Sequence, residues 1–309
     1  MRLLTRLAGR LAVGAVLVAV LVDVTWVLFD RLPGGPFTEE RRLDPADEAR
    51  LRARYGLDDP VWRRAATYLA GLARGDLGPC LSHRDWAVQE VLAGSARPTM
   101  ALGACALALA LAIGIPAGLV SAARRGTGWD RLLLGGAVLG LALPNFVLAG
   151  LLVLVFSSWL GWLPPAGWEG GRHLVLPAVS LGLPFAAVFA RLVRASALEV
   201  LGTEFVRTAR AKGLPPSRVL FVHVLRPSLV PVLAFLGPAA AAVLTGSLVV
   251  EQVFAVPGLG SHFVAGAMNR DPFLVLGTAV VYFGAVIACN TAADALLWWA
   301  DPRVREGRP

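Results

Sequence analysis

The run TMALGACALALALAIGIPAGLVSAA, Thr99–Ala123, contains no charged residue. One helix crossing a bilayer core needs about 20 mainly apolar residues, so this run is read as a transmembrane helix. Working outward, similar runs recur. Leu11 to Phe29 is apolar apart from Asp23, and three Arg precede it. Leu132 to Trp168 is uncharged but too long for one crossing, so the span is placed at Leu132–Phe156. Trp159, Trp162 and Trp168 then lie along the interface, where aromatic belts form. His173–Ala190 (extendable to Ser196), Pro227–Val250 and Pro272–Ala293 complete the set. The reading is an all-α polytopic membrane protein with six spans.

Composition agrees. Of 309 residues, 56% are hydrophobic and 16% charged, where about 25% charged is usual for a soluble domain. That excludes both a soluble globule and a disordered chain. The formal charge is +8, from 29 basic and 21 acidic residues. Topology accounts for it without nucleic acid. With the N-terminus in the cytoplasm, the inner segments carry sixteen Lys and Arg, while the two short outer loops carry Arg172 and Arg270. This is the positive-inside pattern. The long loop from Asp30 to Arg97 balances 11 Arg with 11 acids. Within it, Pro45–Arg54 and Val61–Ala73 are predicted as short amphipathic helices, and Pro33–Pro36, Asp59–Pro60 and Gly75–Pro79 as turns. The start of the chain has the basic and apolar character of a signal peptide, but bulky Trp26 and Phe29 follow, so it is read as an uncleaved anchor. The expected divisions are 1–97 (first span and outer loop), 98–300 (membrane domain) and 301–309 (cytoplasmic tail).

Several chemistries are missing. His83, His173, His223 and His262 are mutually remote, and no Cys/His cluster has metal spacing. Gly-x-Ser-x-Gly is absent. The single Lys, Lys212, lies between Ala211 and Gly213 and cannot belong to a P-loop. No catalytic residue and no metal site is assigned. Cys80, Cys105 and Cys289 suggest no disulfide framework, and Cys80 is expected outside and open to an impermeant thiol reagent.

The functional signal lies between the fourth and fifth spans, in GTEFVRTARAKG (Gly202–Gly213) followed by LPPSRVLFVHVLRP (Leu214–Pro227). Thr203 is predicted to cap a short helix, with Glu204 in its first turn and Arg210 and Lys212 in its last. Gly213 suits a left-handed cap, Pro215-Pro216 stops the helix, and Ser217 is predicted to cap the next one. Phe205, Val206 and Ala209 fall on one side. Physics alone leaves two readings: a basic helix on anionic lipid, or a docking helix for a cytoplasmic partner.

This segment resembles the EAA loop of bacterial ABC importer permeases, with Thr208-Ala209 and Gly213 at the expected spacing. FVRTARAKGL looks like the dipeptide/oligopeptide/nickel branch, and more like its B-type permease. Further similar motifs run in order along nearly the whole chain: RLPGGP (31–36), RGDLG (74–78), LPNF (143–146), LGWLPPAG (160–167), HLVLP (173–177), RLVRAS (191–196), VEQVFAVPGLG (250–260) and DPR (301–303). Pro215-Pro216 and Arg226-Pro227 depart from the general pattern.

The resemblance implies a non-enzymatic permease subunit of the bacterial inner membrane, with both termini cytoplasmic. It implies a second similar permease, an extracytoplasmic binding protein, and two cytoplasmic ATPases that hold the ATP and Mg, so that this chain binds no cofactor. Glu204, Phe205, Arg207, Thr208, Ala209, Arg210, Lys212 and Gly213 would couple to the ATPases. The implied cargo is di- or oligopeptides, the alternative being nickel or another small solute. A secondary transporter would need ionisable groups at the midplane, and the spans hold almost none beyond Asp23. Asp23, Asn145 and Glu251 are the candidates for the pathway or its outer gate. For Asp23 and Glu251, a position at the polar interface within reach of headgroups is preferred.

Overall fold

The computed structural model describes residues 2–32, 45–82 and 86–300. The expected turn at Pro33–Pro36, His83 and the tail from Asp301 lie outside the described residues. In chain order the helices are α1 (Arg2–Arg31), α2 (Pro45–Arg54), α3 (Val61–Leu72), α4 (Val88–Ala123), α5 (Gly128–Ala142), α6 (Asn145–Leu152), α7 (Gly171–Leu201), α8 (Glu204–Ala211), α9 (Pro216–Arg218), α10 (Leu225–Ser228), α11 (Val230–Val253), α12 (Leu259–Met268) and α13 (Pro272–Ala300). Two π-helical stretches, Val153–Trp159 and Val219–Val224, extend α6 and link α9 to α10. Among the described residues the only isolated β-bridge is Pro79–Ala87.

Five helices are long and apolar enough to cross a membrane: α1 from Ala12, α4, α7, α11 and α13 to Trp299. The third expected span, Leu132–Phe156, is not one straight helix. α5 and the Asn145–Trp159 stretch meet at 108°, and only counting this bent pair gives six. The break follows from Pro144, which disfavours helical geometry at the residue before it. Leu143 is extended, at φ −87° and ψ 125°. Pro177 and Pro184 are carried inside α7, and Pro238 inside α11, without such a break. α4 begins well before the charge-free run. α12 occupies what the sequence suggested was a plain outer loop.

The chain packs as two compact units, Met1–Thr99 with Pro257–Ile287, and Met100–Val256 with Ala288–Pro309. The first has an aromatic core. Trp26 meets Phe273 edge-on at 5.3 Å between centroids, and Tyr68 lies 6.3 Å from the same ring. The Arg64 guanidinium stacks over Trp26 at 4.7 Å and pairs with Asp30. The expected amphipathic helices α2 and α3 are present. Asp271 is fully buried and pins the segment after the Gly75–Pro79 turn. It accepts from Leu81 N (2.7 Å), Ser82 N (2.9 Å) and Ser82 Oγ (3.1 Å) and, through its other oxygen, from Leu274 N (3.1 Å) at the start of α13. Cys80 is buried beside it, Sγ to Oδ2 3.5 Å, so the expectation of a reagent-accessible thiol fails.

The second unit is organised on α7, which packs against α5, α6 and α11. α4 also approaches it closely. A Cβ on Gly114 would lie 2.6 Å from Ala186 O, one on Gly118 2.4 Å from Ala190 O, and one on Gly182 2.5 Å from Ala106 O. These glycines let two backbones touch, as small residues four apart do in membrane helix pairs.

Candidate functional site

α7 ends at Leu201, and after Gly202 and Thr203 the chain turns into the eight-residue α8. Thr203 precedes the helix with extended dihedrals, but its hydroxyl does not cap it. Thr203 Oγ1 instead donates back to Val200 O at 2.6 Å, closing α7, so the predicted side-chain cap is not made. Ser217 does not cap the next helix either. Pro215 occupies that position, and Pro216 supplies the first helical residue, whose missing N–H needs no partner.

The C-terminal end follows expectation. Gly213 has φ +71°. Gly213 N donates to Arg210 O (2.9 Å) and Leu214 N to Ala209 O (3.4 Å), which is a Schellman cap. Leu214, three residues past the helix, packs into the same apolar cluster as Ala209, completing the motif.

Two faces of α8 differ sharply. Val206 and Ala209 are buried, at 0% and 4% exposure. They pack with Leu119 and Ala122 of α4, Val193 and Ala197 of α7, and Val219 and Val224 beyond the turn. Phe205, expected on this side, is 48% exposed instead. At i−1 and i−4 from the buried pair it sits about 100° round from Val206, outside a seat only two residues wide. Glu204, Arg207, Thr208, Arg210 and Lys212 are also exposed. Arg207 pairs with Glu204 at 2.7 Å, and Thr208 Oγ1 donates to Glu204 O at 3.0 Å. A helix lying on lipid would turn its apolar side outward into the acyl boundary. Here that side is consumed by the protein, and the free face mixes one aromatic ring with charges of both signs. That composition suits docking to a protein. Beside α8 a cavity of 370 Å³ opens between Arg210, Leu214, Ser217 and Phe221.

Of the three other candidates, Asn145 and Glu251 belong to the same unit as α8, and Asp23 to the other. Asp23 is exposed on α1, in the first unit. Asn145 opens α6, half-buried, and its Nδ2 lies 3.7 Å from where a Cβ on Gly246 of α11 would be. Glu251, in the last turn of α11, is fully buried. It therefore does not reach headgroups from the surface of this subunit, which corrects the interfacial placement. Just beyond it Ala255 takes φ +50°, with Val256 N donating to Glu251 O at 2.9 Å, and Arg270 does the same after α12 at φ +54°. Non-glycine residues held in this region are uncommon. Among the described residues no group of His, Cys, Asp and Glu could hold a metal ion.

Sequence reasoning missed Asp130 and Asp271. Both had a local signal: Thr127-x-x-Asp130 has capping-box spacing, and Asp271-Pro272 opens a helix.

Comparison with known proteins shows the family. The chain is 42% identical over 288 residues to the oligopeptide transport system permease protein of Salmonella typhimurium, covering 93% of this chain and 94% of the relative. It is 37% identical over 291 residues to the dipeptide transport system permease protein of Bacillus subtilis, covering 94% of each. A solved chain of the MetNI methionine ABC transporter, in inward-facing conformations, superposes with a TM-score of 0.59 at 17% identity, covering 68% of this chain and 96% of that one. This last likeness is of fold alone. Residues 114–306 match the family described as "Binding-protein-dependent transport system inner membrane component". The chain belongs to that family: it is a multi-pass inner-membrane permease subunit of an ABC transporter, and not itself an enzyme.

Proposed function

We propose that this permease imports short peptides, as the names of its oligopeptide and dipeptide relatives suggest. It works with a second, similar permease, an extracytoplasmic binding protein that delivers the peptide, and two cytoplasmic ATPases that bind ATP and Mg. Both termini and α8 lie on the cytoplasmic side, consistent with the bias of Lys and Arg in the short segments. Glu204–Gly213 docks on an ATPase, and the closing of the ATPases shifts the balance between two packings of the spans. Asp23, Asn145 and Glu251 contribute to the pathway or its outer gate.

The observation that carries this reading is the two-faced seating of α8. Val206 and Ala209 root it in the membrane unit, while Phe205 and the Glu204–Arg207 pair stay exposed. The test uses Phe205→Asp and Glu204→Lys, both on the exposed face, in the assembled transporter. Both variants are expected to insert normally and to lose most of the co-purifying ATPase or its cargo-stimulated hydrolysis. A helix serving only to hold anionic lipid would tolerate or favour Glu204→Lys, which adds a cation there. Wild-type ATPase retention in both variants would remove the docking role.

A further inference from the structure

The connection between α4 and α5 is built around one carboxylate. Asp130 is 4% exposed. Its Oδ1 accepts from Ser121 Oγ and from Arg194 Nε at 2.9 Å. Its Oδ2 accepts from Gly126 N at 2.9 Å and Arg194 Nη2 at 3.0 Å. A carboxylate offers about four acceptor sites, so all are used, two of them by a bidentate guanidinium. Ser121 lies in the last turn of α4, Asp130 opens α5, and Arg194 belongs to α7. One side chain thus fastens three helices.

The fastening adjoins the seat of α8. Ser121 precedes Ala122, while Arg194 follows Val193 and stands one turn before Ala197. All three apolar neighbours pack with Val206 and Ala209. The pair is largely withdrawn from water, with Asp130 buried and Arg194 part-buried; such a pair is a poor way to add stability, because desolvation offsets much of the attraction, and its better-attested use is to fix one geometry.

We propose that Asp130 is a positioning residue for energy coupling, an inference that rests on the docking reading of α8. With Arg194 it holds the ends of α4, α5 and α7 as one block. A displacement of α8 by an ATPase then moves three helices together and is not absorbed by a yielding seat.

The test compares Asp130→Asn and the double variant Asp130→Asn/Arg194→Met in the complete reconstituted transporter. ATPase co-purification is measured, together with tri-alanine uptake per ATP hydrolysed in the presence of the binding protein. Asp130→Asn keeps the side-chain shape but removes the ion pair. It is expected to retain the ATPases yet lower uptake per ATP by roughly 3- to 30-fold. The double variant strands no buried charge, so it restores any lost yield while keeping the low ratio. It also supplies that ratio if the single variant fails to assemble. A wild-type ratio in Asp130→Asn, or a ratio that recovers with yield in the double variant, overturns the proposal and leaves α8 docking intact. A wild-type chain that binds no ATPase overturns both.

Discussion

Gly213 offers a clean separation of backbone conformation from packing. It sits at φ +71°, and a Cβ placed on it would meet nothing within 4 Å. Any effect of a side chain here is therefore conformational and not steric. The left-handed region costs an ordinary L-residue about 1–2 kcal/mol, and more for a β-branched one. If residue 213 leaves that region, the 2.9 Å bond to Arg210 O and the 3.4 Å bond to Ala209 O are lost with it. In this exposed turn these two bonds together contribute about 1 kcal/mol, near the low end of the usual range. Gly213→Val should thus destabilise the docked form of α8 by about 2 kcal/mol, which is roughly thirtyfold in an equilibrium constant. A bundle with three apolar clusters survives that locally. Gly213→Asn, which tolerates left-handed geometry, should lose only a fraction as much. The assay is retention of the ATPases on the purified membrane complex across a concentration series, with uptake measured in parallel. Equal behaviour of the Val and Asn variants, or full retention by Val, would refute the claim that a left-handed cap positions the docking helix.

The glycine seam gives a prediction of opposite signs. Gly118→Ala, with its Cβ 2.4 Å from Ala190 O, should destabilise the subunit by about 1–3 kcal/mol. Gly150→Ala, where a Cβ meets nothing, should be neutral or stabilising by up to about 1 kcal/mol in a thermal unfolding series in detergent. Native Cys80 should resist impermeant maleimide from either side and react once Asp271→Ala releases Leu81 and Ser82; rapid labelling of the unaltered protein would contradict the pinned geometry. In a cysteine-free background, Trp62→Cys should label from outside intact cells, and Ser217→Cys only after permeabilisation; the reverse pattern would invert the proposed topology.

What could be read from the chain depended on how local its cause was. Charge-free runs place α4, α7, α11 and α13, because a membrane helix is a matter of length and polarity. The Gly213 cap was legible because the turn is set by residues within five positions. The bend at Leu143–Pro144 was visible as a residue type, but not as a 108° turn, since other prolines sit in unbroken helices. Phe205 was misassigned because helical periodicity gives an angular position and not the width of the seat. Glu251 and Asp130 were obscured for a different reason. A carboxylate near the end of an apolar run is read as reaching water, and only tertiary contacts bring donors such as Arg194, far along the chain, to Asp130.

The seam between α4 and α7 constrains how motion can pass from α8 through the rest of the second unit. Gly114, Gly118 and Gly182 place backbone against backbone, with no flexible side chain between to take up a displacement. Close-packed contacts of this kind are bistable or rigid, and they do not deform continuously. The Asp130 carboxylate closes the same pair at the end next to the docking helix. α7 runs without interruption to Leu201 and hands on to α8 across only Gly202 and Thr203. A push on α8 therefore acts on α4 and α7 as one body. The compliance must lie elsewhere: at the extended Leu143 between α5 and α6, and in the π-helical stretches where the regular ladder is already interrupted. These joints, and not the seam, are where two packings of the unit should differ. Stiffening Leu143 by a proline pair would slow transport without weakening α8 docking, whereas loosening the seam would cost stability first.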